Sequence, residues 1–211
     1  MRVRVFVQAA LLLPFLVPAQ PAGAAESVYT DIDIQKCKTL AEPAPGEEGD
    51  FIVSLCGGYK DYGVLFKEGD MRQTTFFGFL DQKIIDDAFT SFGPFNHIGS
   101  KVEWRIGSDG KPLAAILRYH IENANEVTGV PDTAHEGQVL VISRVGQPDD
   151  RVGCVIGYVD ALANKDANVL ARKIADAMAP GFACGTDSPE FHGIKGDKAG
   201  ETTNYFPDIA N

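Results

Sequence analysis

The chain has 211 residues, 45% hydrophobic and 23% charged, which suits one compact domain or two small ones and excludes a fibrous, repetitive or disordered class. Its 29 acidic residues outnumber 19 basic ones, a formal charge of −10, with no Lys- or Arg-rich run to offset the excess. A nucleic-acid backbone is repelled by such a field, so the composition argues against a nucleic-acid partner and favours a basic protein, or simply solubility.

The first 25 residues have the form of a cleaved signal peptide. Arg2 and Arg4 precede an apolar run, Val5 to Val17, of about 13 residues, short of the roughly 20 that span a bilayer. Pro18 and Pro21 break it, and Ala22-Gly23-Ala24-Ala25 offers the small side chains of a cleavage site, placing the mature start near Ala25 or Glu26. Removing residues 1–25 takes away Arg2, Arg4 and no acid, leaving 17 basic against 29 acidic residues and a charge of −12. A periplasmic or secreted protein with no integral membrane segment is expected.

Residues 26–184 are expected to form a single α+β domain, mainly antiparallel sheet with two amphipathic helices and disulfide staples. Tyr29 to Ile34, Phe51 to Leu55, Gly63 to Lys67 and Thr74 to Phe79 read as strands between turn residues. Within this set, Tyr59 and Tyr62 flank a charged pair in the glycine-bounded loop Gly57 to Gly63, a pattern suited to a contact surface. Asp31 and Asp33 would share a strand face, but no loop supplies the six or more oxygens of a dedicated calcium site. The first helix is expected over about 82–92, with Asp81 as its cap, Leu80, Ile84, Ile85, Ala88, Phe89 and Phe92 on one face, and Gly93-Pro94 as its stop.

Ser108-Asp109-Gly110-Lys111 is the clearest local signal, because Asp-Gly favours the positive backbone angles of a two-residue hairpin turn. That turn sets Trp104 opposite Ala115, Val102 opposite Leu117 and Ile106 opposite Leu113, an apolar face selected by turn and alternation alike. The other face carries Glu103, Arg105, Arg118, His120 and Glu122, a candidate surface for a ligand or partner. Gln138 to Ser143 and Val152 to Val159 read as further strands. A second helix over about 165–179 follows, capped by Asn164, striped by Leu170, Ile174 and Met178, and stopped by Pro180-Gly181.

Cys37, Cys56, Cys154 and Cys184 all lie beyond the cleavage site, in a chain bound for an oxidising compartment. Eight residues of strand run about 26 Å and fifteen of helix return about 22 Å, which brings Cys184 back to Cys154. Cys37 is then left for Cys56 across the Pro- and Glu-rich loop. Zinc spacing is absent, and neither metal nor cofactor is implied. After Cys184, residues 185–211 hold seven charges and four glycines, and an irregular tail is expected, with Phe191, Tyr205 and Phe206 able to dock it.

The mature chain contains no nucleophile elbow, phosphate loop, dinucleotide fingerprint or His-Glu-x-x-His helix. A non-catalytic binding protein of the envelope or exterior is the leading expectation, in the manner of an inhibitor of a basic secreted enzyme such as a lysozyme. The alternative is a small periplasmic hydrolase using His120 with Glu103 or Glu122.

Overall fold

A computed structural model describes residues 25–209. The predicted signal segment falls, up to residue 24, outside the described residues. Ten strands form one sheet, in the order β11 (Glu190–Phe191), β10 (Cys154–Asp160), β9 (Gly137–Arg144), β8 (Pro112–Glu122), β7 (Phe95–Ile106), β5 (Arg72–Phe77), β4 (Tyr62–Gly69), β3 (Phe51–Tyr59) and β2 (Lys38–Ala41), with β1 (Glu26–Asp31) along β7. All these ladders are antiparallel except β5 with β7 and β10 with β11. The α+β, mainly antiparallel expectation holds.

Strands β5 and β7 share only Arg72 opposite Asn96, so the sheet folds there into two halves whose inner faces pack together. Cys56, Val64, Phe66 and Phe77 from one half meet Trp104, Leu117, Tyr119, Val141 and Tyr158 from the other. Trp104 is wholly buried, edge-on to Phe77 at 5.5 Å, and its Nε1 donates to Thr30 Oγ1 at 2.8 Å. Gly58 lies beneath it, where a Cβ would stand 2.8 Å from the indole, so close approach of the backbone requires glycine here.

The hairpin closes through a three-residue loop, Ser108 to Gly110, with Gly107 N donating to the Lys111 carbonyl and positive φ at Gly110 alone (78°), instead of the expected two-residue turn, and Trp104 still opposes Ala115. Ile106 pairs with Pro112 instead of Leu113, because the ladder slips after Arg105. A second irregularity, between Ile98 and Val102, lets β7 continue back to Phe95, well beyond the expected strand.

Helix α1 (Gln82–Asp87), capped by Asp81, is shorter than the expected 82–92. Two acids at its C-terminal end oppose the helix dipole, and the buried Lys67 ammonium takes the carbonyls of Asp86 and Ala88 at 3.1 and 2.8 Å. Phe89, Thr90, Ser91 and Phe92, strand formers despite their helical spacing, make β6 (Phe89–Phe92), which pairs with β12 (Thr202–Tyr205). Helix α2 (Ala167–Met178) covers the outer face of β8, β9 and β10 with a row of small residues, Ala167, Ala171 and Ala175, which lets it sit close to the sheet. Leu170, Ile174 and Met178 flank that row, half-buried. Asn164 is not the cap. Its amide ties residue 194 to the body, accepting from Ile194 N at 3.0 Å and donating to Ile194 O at 2.7 Å.

The disulfides join Cys37 to Cys56 and Cys154 to Cys184, as the return distances require. The expected irregular tail is instead built into the fold through β11, β12 and a short turn that buries Ala199 in the main core. Phe191 stacks on Tyr158 at 5.2 Å. Among the described residues, no helix is long and apolar enough to cross a membrane.

Candidate functional site

The outer face of β7 and β8 carries the five candidate residues, but α2 divides them. Arg105 and Glu103 are buried beneath it. Arg105 donates through Nε and Nη2 to both oxygens of Asp176 at 2.8 and 2.6 Å, and also to Ser27 Oγ and the Ala25 carbonyl. Glu103 accepts from Arg172 Nε at 2.6 Å and from Ser27 Oγ. Hydrogen bonding to Asp176 pushes the Arg105 guanidinium up from its ordinary pKa. These two residues lock β1, β7 and α2 together and are removed from the candidate surface. Burial beneath α2 with Asp176, Arg172 and Ser27 as partners makes a latch here, where alternation alone predicts a solvated face.

Past the end of α2, Arg118, His120 and Glu122 remain on an uncovered stretch of β8. His120 Nδ1 lies 2.7 Å from Glu136 Oε1, and Arg118 Nη1 donates to Gln138 Oε1 at 2.9 Å. The extension of β7 adds His97. It opposes His120 across the ladder, with the two rings parallel and 4.8 Å apart, and its Nδ1 lies 2.8 Å from Glu122 Oε1. Both expected His120 pairs therefore fail: Glu103 serves Arg172, Glu122 serves His97, and His120 takes Glu136.

A carboxylate only accepts, so each Nδ1 donates its N–H. The hydrogen bond from His120 holds the Glu136 carboxyl below the usual range. Side-chain exposures of 35% for Glu122 and 28% for Glu136 leave both carboxylates reachable from solvent. Beside Glu122 a shallow cavity of about 310 Å³ is lined by Phe95, Pro94, Pro131 and Arg72, whose guanidinium sits 4.9 Å from the Phe95 ring centre. The connecting loop of residues 123–136 presents Val127 and Val130, 93% and 61% exposed.

Tyr59 and Tyr62 do not form the expected contact surface. Tyr62 is buried, edge-on to Phe79 at 5.2 Å, with its hydroxyl donating to Gln147 Oε1 at 3.1 Å. Tyr59 leans on Trp104 at 6.3 Å and carries the Lys60 ammonium over its other side, 4.8 Å from the ring centre. Asp31 and Asp33 part as well, the first pairing with Lys101 at 2.6 Å and the second with Lys36 at 2.7 Å.

Among the described residues, no three His, Cys, Asp or Glu side chains converge on a metal position, and no hydroxyl or thiol is hydrogen-bonded to either stacked imidazole. The site can accept N–H donors on two carboxylates and can offer Arg118 to a carboxylate. No protein family, curated protein or solved structure matches the chain.

Proposed function

We propose that the protein is an exported, non-catalytic binding protein that captures a basic protein partner, such as a secreted enzyme of the lysozyme kind, on the uncovered end of its β7–β8–β9 face. The observation that carries this is the pair of solvent-reachable carboxylates, Glu122 and Glu136, each held by an imidazole beyond the end of α2. Acidic acceptors on a chain of net charge −10 attract cations over a distance and bond them on contact. Two disulfides fit an oxidising compartment.

Pull-down from an envelope extract with the mature protein, at low and then raised salt, tests the reading. Capture of a basic protein that weakens with salt and is lost in Glu122→Gln with Glu136→Gln is expected. Equal capture by that double variant would sink it. One observation favours a second reading, a small periplasmic hydrolase: each imidazole carries a carboxylate on Nδ1, the arrangement of a general base. Ester or amide turnover by the mature protein, abolished in His120→Ala, would select the hydrolase.

A further inference from the structure

The other half of the sheet carries an apolar trough. It lies between α1 and the β2–β3 edge, encloses about 620 Å³, and is lined in part by Leu40, Phe51 and Leu55, which stay 42%, 47% and 44% exposed. Three large apolar side chains gathered in one concavity differ from the scattered exposed hydrophobics of an ordinary surface. Glu68 and Asp86 line the trough, and Glu42, Glu47, Glu48 and Asp50 stand exposed along the loop from β2 to β3. The one cation in the lining, Lys67, is spent on the Asp86 and Ala88 carbonyls.

We propose that this trough docks an extended segment of a cationic partner in which apolar and basic side chains alternate, the apolar ones entering between Phe51 and Leu55 and the basic ones reaching the acidic rim. Charge selects this occupant. A second copy of the chain would bring two acidic rims together, and an anionic membrane surface would meet the same repulsion. Backbone pairing along the free edge of β2 is opposed by its irregular register at Leu40 and by Pro43 and Pro45 just after it, so side-chain insertion is the mode. The site is separate from the polar face and does not depend on it.

The test uses the mature protein and a fluorescein-labelled peptide of alternating Leu and Lys, with an alternating Ser and Lys peptide as control, read by anisotropy. The Leu–Lys peptide should bind, and Phe51→Ser with Leu55→Ser should raise its Kd about tenfold or more. Glu48→Gln with Asp50→Asn, a pair of exposed changes that spares the apolar lining, should weaken binding and flatten its salt dependence. Arg118→Ala with His120→Ala should leave the peptide Kd unchanged, which separates this site from the polar face. Equal binding of the Ser–Lys peptide, an unchanged Kd in the trough variants, loss of peptide binding in the polar-face variant, or a dimer that dissociates on Phe51→Ser would each overturn the proposal.

Discussion

Replacing Asp176 by Ala strands the Arg105 guanidinium, whose side chain is only 7% exposed, beneath α2. An uncompensated buried charge costs about 3–5 kcal/mol. Two features reduce that here. Asp176 is itself 30% exposed, so water can enter where its carboxylate stood, and Arg105 keeps Ser27 Oγ, the Ala25 carbonyl and, at 3.9 Å, Glu103. A loss of about 2 kcal/mol is expected, a fall in Tm of roughly 4–8 °C for a domain of this size. Arg105→Met keeps the aliphatic stem and removes the charge, so adding it to Asp176→Ala should restore part of the loss, with a coupling energy of about 1 kcal/mol or more. Urea unfolding of the four members of this cycle, disulfides intact, gives both quantities. A change below about 0.5 kcal/mol in Asp176→Ala, or strict additivity, would refute the latch.

Trp104→Ala should cost on the order of 3–5 kcal/mol in the same assay, since it empties the space beside Phe77 and leaves Thr30 without its donor, whereas Arg118→Ala with His120→Ala should stay within about 0.5 kcal/mol. The Asp132 carboxyl, drawn down to about 2 by the Asn125 amide and His135, should titrate there by NMR, and Asn125→Ala should raise it. Because that folded pKa lies below the unfolded value of about 3.9, the contribution to stability is complete above the unfolded value and disappears as pH falls through about 2. A midpoint near 3.9 in the native protein would contradict the hydrogen bonding. Replacing Cys154 and Cys184 by Ala, which opens a loop of sequence separation 30, should cost about 3–4 kcal/mol and release the segment after α2 to proteolysis.

Turn chemistry and strand parity carried most of what was legible. Asp109-Gly110 located the hairpin and alternation gave the register of Trp104 with Ala115, although the loop is one residue longer than a two-residue turn and the ladder shifts to absorb it, and the strand-and-helix return set Cys154 with Cys184. What local reasoning missed came from tertiary partners. Phe89 and Phe92 fit a helical stripe, yet β12, more than a hundred residues away, offers them a ladder. Glu103 and Arg105 alternate like solvated residues, and only the position of α2 buries them. His97 was within reach: extending β7 by parity past Val102 puts it on the Glu103 face, although its seat beside His120 depends on the irregularity between Ile98 and Val102.

Pairing between β6 and β12 joins residues 89–92 to residues 202–205, and the turn just before β12 fills the main core with Ala199. A nascent chain that stops short of these residues has an unmatched β6 and a hole between its two sheet halves. Such topology folds late and slowly, because its decisive contacts close long loops. A polypeptide in that condition cannot complete its β6 ladder until Tyr205 has been synthesised.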